Sequence, residues 1–537
     1  MMKSNKKFFA ICAAFVTIYG TSCNKQLELT PTNLRTPEKV FSTYDGYNQA
    51  LAKVYGSFAL TGNIGGNNGG EPDVPGLKDE GFSGFIRGIW NMQELTTDEA
   101  IVAWSDAGLS DLHSLNWTTA NDFVRIPYTR IYFQITLSNE FIRQANRAAD
   151  KGFTAEQIVN IERFKQEARF IRAFDYWNVM DLYGNGVFAD ENFPVGSVPP
   201  PQIKTADLFI WLEKELLDLE TKLPQTSEYG RPNKSAVNAL LARMYLNAET
   251  YTQKAKYSEA ITHSKKVIEA GYSLNPNYRN LMLADNDKNT NEFIMTVNFD
   301  GISTRSYGGT TFLVRAAIGG SMVGSNYGVE DGWKGLRTTR NLPLLFPDTG
   351  FQDDPNVPAD LRAQFYRKGQ SLEITTVSTF EDGYAVPKYR NLNTDGTVGK
   401  DPVRKMVDID FPLFRLAEQY LIYAEATLRG GAGGDRSTAL GYINILRERA
   451  YGNNLGNITD GNLNLPFILD ERARELYWEG HRRTDLIRYN LFTGSDYVWP
   501  FKGGEKDGIG VADHWKLFPL PANEIVTNPK LKQNPGY

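Results

Sequence analysis

Amphipathic helical stretches, separated by long glycine- and asparagine-rich segments, constrain this 537-residue chain more than any other feature. Between residues 161 and 180 the apolar side chains Phe164, Ala168, Ile171 and Tyr176 recur at helical spacing, which gathers most of them on one face. The segment runs into Tyr183-Gly184-Asn185-Gly186, a natural helix stop. Residues 235–248 and 257–270 predict a hairpin of two helices. Ala236, Ala239 and Ala242 are small enough to let its two halves approach closely, and Gly271 ends the second. Further helices are predicted at 414–429, 438–449 and 467–489.

A hairpin with this alternation of alanine and bulky residues resembles a tetratricopeptide unit. The fold class expected is therefore mostly α: a tetratricopeptide-like scaffold of about four helix pairs, with a loop-rich ligand-binding face and few short strands. The loops are 61–76, 271–412 and 494–514, and irregular segments of that length usually carry function. Residues 298–309 and 384–391 are the candidate strands.

Only Cys12 and Cys23 are present. Lys3, Lys6 and Lys7 precede a short apolar run, Phe8 to Tyr19, which ends at Gly20-Thr21-Ser22-Cys23. The run is too short to span a bilayer and reads as an export signal over 1–22. Small residues before a cysteine mark Cys23 for lipidation, although Gly20 stands where an aliphatic residue is more common. The alternative is plain secretion with a free thiol. Residues 23–37 read as a polar tether, and 38–537 as a single domain. Removal of the signal takes Cys12 with it, so no internal disulfide is available and stability must come from a large packed core.

A net charge of −5 and the absence of long like-charge runs exclude nucleic acid as a partner. Catalytic patterns are missing. The histidines are scattered at 113, 263, 481 and 514, and Gly184-x-Gly186-x-x-Ala189 follows a helix where a dinucleotide fingerprint needs a strand. Paired carboxylates cannot be read from sequence, which leaves a glycoside hydrolase as the enzymatic alternative to a binding protein. The positive signal is aromatic. Sugars present flat C–H faces that pack on Trp and Tyr rings, with charged and amide groups reaching the hydroxyls. Trp177, Trp211 and Trp478 fall on amphipathic helices and are expected in the core. Trp104 and Trp333 fall in polar surroundings and are expected at the surface. Asp285-Asn286-Asp287-Lys288-Asn289 places oxygen ligands at alternate positions; it reads either as a solvated loop or, completed by Asp382, as a structural calcium site.

Several motifs resemble one family. The ending Phe518-Pro519-Leu520-Pro521-Ala522-Asn523-Glu524-Ile525, with Gln533-Asn534-Pro535-Gly536-Tyr537, resembles that of SusD/RagB-type nutrient-binding lipoproteins. So do Glu471-Arg472-Ala473-Arg474-Glu475-Leu476 with Glu479-Gly480-His481-Arg482-Arg483, Arg415-Leu416-Ala417-Glu418, and Arg169-Phe170-Ile171-Arg172-Ala173. The repeated Arg and Glu are expected to pair between stacked helices rather than to bind ligand. The resemblance implies a lipid-anchored, surface-exposed outer-membrane protein that acts as a lid on a SusC-like TonB-dependent barrel.

Asp79-Glu80-Gly81, Arg87, Thr97-Asp98-Glu99, Tyr307-Gly308-Gly309 and Gly332-Trp333 resemble the starch-binding members of that family. By that resemblance Trp104, Tyr307 and Trp333 form an aromatic arc for α-glucan (starch, maltooligosaccharides), and Arg87 and Asp79 hydrogen-bond glucose hydroxyls. It also suggests calcium near Asp287 and Asn289, with no cofactor required for binding. Val102 replaces a further Trp, and Asp106-Ala107 replaces an Asn, which implies an arc trimmed at one edge. A different glycan or a peptide is the alternative cargo.

Overall fold

The computed structural model describes residues 36–62, 73–74, 80–196, 198–288, 291–346 and 360–537. The signal segment 1–22, Cys23, Asp79 and Asn289 lie outside them. The described residues up to Ala50 fall in one compact unit and the described residues from Leu51 onward in another. In the first, Thr36 caps a single turn, Pro37–Val40, and Phe41 meets Tyr47 edge to face at 4.9 Å.

Helices of seven residues or more are, in chain order, α1 (Tyr44–Ala59), α2 (Phe85–Gln93), α3 (Asp122–Ala145), α4 (Ala155–Tyr183), α5 (Thr205–Lys222), α6 (Lys234–Leu246), α7 (Tyr257–Ile268), α8 (Thr310–Ala316), α9 (Leu416–Leu428), α10 (Arg436–Tyr451), α11 (Leu465–Leu476) and α12 (Arg482–Arg488). They stack in sequence: α3 on α4, α4 on α5, α5 on α6, α6 on α7, α7 on α9 and α9 on α10. The predicted alanines work as expected. Ala236, Ala239 and Ala242 are fully buried, as are Ala260 of α7 and Ala424 of α9. Thr154 and Gln157 form a reciprocal capping box at the start of α4, and Gly184, at φ +67°, ends it.

Two predicted elements differ. The segment 467–489 is two helices, because Trp478 and Gly480 take positive φ (65° and 84°) and turn the chain between α11 and α12. The candidate strands at 298–309 and 384–391 are not strands. Asp300 Oδ1 accepts from the Ile302 and Ser303 N–H groups and closes a turn, while Tyr384 makes a single bridge to Thr338. The strands that form are β1 (Ile101–Val102), β2 (Phe293–Val297), β3 (Leu336–Arg337) and β4 (Phe411–Arg415). They pair antiparallel, β1 with β3 and β2 with β4.

Arg and Glu of the helix motifs form a buried lattice. Arg415 contacts Glu475 at 2.6 Å, Glu479 at 2.7 Å and Glu292 at 2.9 Å. Arg362 holds Asp360 and Glu471, Arg488 holds Glu425, and Arg472 holds Asp485. Among the described residues no helix is long and apolar enough to cross a membrane.

Candidate functional site

The short β1–β3 ladder pins two distant segments side by side. Its register sets Ile101 opposite Arg337 and Val102 opposite Leu336. Just beyond it, Ala103 donates to the Gly335 carbonyl at 2.8 Å. Trp104, the next residue, donates its indole N–H to the Trp333 carbonyl at 2.9 Å. The 333–335 segment is itself tied to the end of α8. The N–H groups of Trp333, Lys334 and Gly335 donate to the carbonyls of Arg315, Ile318 and Ala316 at 2.7, 2.9 and 2.9 Å, satisfying acceptors that a helix end leaves open. Lys334 adopts φ +53° within this clamp.

Tyr307 arrives from a third segment. Glu80 accepts from its N–H at 2.9 Å and from the Thr61 hydroxyl at 2.5 Å, fixing the turn over 306–308. The turn lies so close to Gly84 that a Cβ there would sit 2.5 Å from the Gly308 carbonyl oxygen. Arg87, at the start of α2, donates its own N–H to that carbonyl at 3.0 Å.

The three rings meet. Trp104 and Trp333 have centroids 6.4 Å apart with planes 52° apart; Tyr307 and Trp333 are 5.9 Å and 62° apart. All three are half-buried, so each keeps part of its surface open. Behind them is an aromatic wall: Phe312 lies 6.2 Å from Trp104 and 5.6 Å from Trp90, and Trp90 packs on Trp478 at 5.1 Å. The Arg87 guanidinium is inserted between Phe82 at 4.0 Å and Phe312 at 4.6 Å, and stands 5.5 Å from Trp104. Arg87 is only 3% exposed, so it stands behind the rings more than beside them.

Trp177 and Trp478 are buried, while Trp211 is half-buried against Tyr176 and Phe188. Val102 is 1% exposed within β1, two residues before Trp104. Asp106 and Ala107 are exposed just past Trp104.

The calcium set is not assembled among the described residues, where no three Asp, Glu, His or Cys gather as metal ligands. Asp382 spends a carboxylate oxygen on the Thr375 and Thr376 N–H groups. Asp285 accepts from Thr394, and Asn286 bridges Leu281 and Asp410. Asp287 lines a small pocket together with Asp408, Asn393, Lys288 and Lys400, so two carboxylates are balanced there by two ammonium groups.

Among the described residues, Glu330 and Asp331 pair with Arg315, whose guanidinium faces the Trp333 ring, and Glu80 is bound as above. Phe82, Phe312, Arg315 and Glu80 escaped assignment from sequence; for Glu80 and Phe312 what defines them is contact with segments more than 200 positions away, Tyr307 and Trp104 respectively.

Residues 224–537 match the sequence model of the SusD family. The chain is also 34% identical to the starch-binding protein SusD of Bacteroides thetaiotaomicron, across 99% of its own length and 98% of that protein's. This chain belongs to the SusD family. Solved structures of the SusD superfamily share its fold. One from Parabacteroides distasonis aligns with TM-score 0.69 at 20% identity, covering 92% of this chain and 99% of that one. Surface glycan-binding protein A from B. thetaiotaomicron, in complex with laminarihexaose, aligns with TM-score 0.67 at 18% identity, covering 91% and 99%. The mostly helical, tetratricopeptide-like architecture expected from the sequence is that of these SusD-superfamily structures.

Proposed function

We propose that this SusD-family protein captures α-glucan, as starch or maltooligosaccharide, at the cell surface and delivers it to a SusC-like TonB-dependent outer-membrane transporter. The relatives are named as binding proteins, and the family supports a glycan-binding protein rather than an enzyme. The observation that carries the reading is the contiguous, half-open face of Trp104, Trp333 and Tyr307. The rings are inclined to one another by 52° and 62° rather than coplanar, which we read as suiting a curved glucan better than a flat ribbon.

In this reading the rings stack on the C–H faces of glucose units. Asp79 hydrogen-bonds the hydroxyls; Arg87, which the resemblance also assigns to them, is 3% exposed between Phe82 and Phe312 and supports the rings from behind. Binding of one chain is weak, because an open platform buries only part of a polar ligand. Lipid on Cys23 anchors the protein to the outer membrane. Calcium near Asp287 and Asn289 remains an optional structural addition with no part in this mechanism.

The test is native electrophoresis of the protein truncated after Cys23, in gels containing amylopectin, with Trp333→Ala alongside. Retardation of the wild type that disappears in the variant is the expected result. An unretarded wild type overturns the starch assignment. Laminarin is the comparison glycan, because the neighbour of the same fold is in complex with laminarihexaose; retardation by laminarin alone would move the cargo to a β-glucan.

A further inference from the structure

We propose that Arg315 is the positioning residue of the aromatic face, holding the Trp333 ring at the inclination that aligns it with Trp104 and Tyr307. This deepens the reading of the three rings as a binding face and rests on it.

Arg315 lies on α8 and is 3% exposed. It grips Trp333 at two points. Its carbonyl accepts the Trp333 N–H at 2.7 Å, and its guanidinium carbon stands 5.1 Å from the indole centroid, within cation–π range. The guanidinium is fixed in turn. Nη1 donates to the Lys405 carbonyl at 3.1 Å, while Nη2 meets Glu330 at 3.3 Å and also Asp331. A planar fork with three acceptors around it has essentially one placement, which a lysine's point charge cannot reproduce.

The surroundings point the same way. Lys334, next to the ring, is held at φ +53°, a conformation costly for a residue with a side chain and sustained only when its neighbours over-determine it. Glu330 and Asp331 are 38% and 64% exposed, so the clamp is closed from the solvent side by residues that no core packing requires. A ring fixed in advance gives up little freedom when a sugar lands on it. A ring free to swing must be ordered at binding, at the expense of affinity.

The test reads ring geometry without any glycan. Two indoles 6.4 Å apart and inclined by 52° couple their electronic transitions, giving a paired circular-dichroism band that Trp333→Phe identifies by removing it. In Arg315→Met the band is expected to fall below half, and amylopectin retention to weaken about tenfold, as loss of pre-organisation implies. Arg315→Lys should restore part of both, with cooperative thermal unfolding retained throughout. Should Arg315→Met fail to fold, the double variant Glu330→Gln, Asp331→Asn opens the clamp from outside and is expected to shift both readouts in the same direction. A folded variant with the wild-type band and wild-type retention overturns the proposal. If the band falls while the wild type itself binds no α-glucan, the starch reading fails and the positioning role of Arg315 stands.

Discussion

Gly335 has no side chain because Trp104 occupies the space one would need. A Cβ on it would lie 2.4 Å from the indole carbons Cε2 and Cζ2, well inside contact distance. Its φ is not in the left-handed region, so the demand is steric rather than conformational. Gly335→Ala should therefore push Trp104 off its hydrogen bond to the Trp333 carbonyl. Overpacking of this kind costs about 1–3 kcal/mol, which a protein of this size survives folded. The expected outcome is at least a tenfold loss of amylopectin retention, on the order of 1.4 kcal/mol, with the melting temperature lowered by only a few degrees. Retention at the wild-type level would show that Trp104 can shift without consequence and does not belong to the binding face. Trp177→Phe serves as the contrast, since that ring is buried among α4 side chains and its loss should lower stability while leaving retention intact.

At the scale of elements, the turn between α11 and α12 is held by buried acids from a distant loop. Glu94 accepts from the Gly480 and His481 N–H groups, and Glu99 accepts from the Trp478 N–H at 3.2 Å and takes the indole N–H on its carbonyl at 3.1 Å. Burial raises the pKa of both carboxyls above the ordinary range, and the charge on Glu94 raises Glu99 further. An acid whose folded pKa is raised holds its proton more tightly when folded. Its contribution is complete below the unfolded value of about 4.3 and is lost as pH rises through the raised folded value. Glu94→Gln keeps an acceptor for the two N–H groups and removes the titration. The variant should thus gain stability relative to wild type as pH rises from 5 to 8, measured as the difference in melting temperature. A constant difference across that range would overturn the assignment. This turn also marks where sequence reading stops. Helical periodicity continues through 467–489, and the break at Trp478 and Gly480 coincides with contacts to Glu99 and Glu94, nearly 400 positions away. Helix α3 went unpredicted for a related reason. Pro127 lies inside it, and what accommodates the ring is Gly88 of α2, where a Cβ would come within 3.0 Å of the proline. Helices whose partners are near in sequence, such as α6 and α7, were legible from alanine spacing alone. For the site, the sequence predicts Trp104 and Trp333 at the surface and they are half-buried, because Trp104 packs against Phe312 and Trp333 against Arg315, contacts their polar sequence setting does not announce.

For the whole molecule, none of the described residues is a cysteine, so no disulfide ties them together, and the Arg–Glu lattice joins elements distant in sequence. Glu475 on α11 receives Arg415 from the end of β4, Arg449 from α10 and Arg362 from a loop. Burial alone would raise its pKa, but Arg449, Arg415 and Arg362 together hold it down to about 2. Glu471 is depressed in the same way by Arg362, Arg474 and Arg447. For an acid with a depressed folded pKa, the stabilisation is complete above the unfolded value near 4.3 and disappears as pH falls through the folded value. From Glu475 alone this amounts to something on the order of 3 kcal/mol. The lattice therefore predicts stability that falls steeply between about pH 4.3 and pH 2, as several carboxylates lose their charge within one connected cluster. Glu475→Gln should cost about 3–5 kcal/mol at neutral pH, because it leaves buried guanidinium groups short of a counter-charge. It should also flatten the acid limb relative to wild type. Denaturant unfolding at pH 7 and pH 3 measures both quantities. A variant that is destabilised at pH 7 yet keeps the wild-type acid slope would mean that Glu475 supports the helices by packing alone, and that acid sensitivity resides elsewhere in the lattice. Loss of slope together with stability would place this carboxylate at the centre of the electrostatic cohesion that replaces cross-linking in the fold.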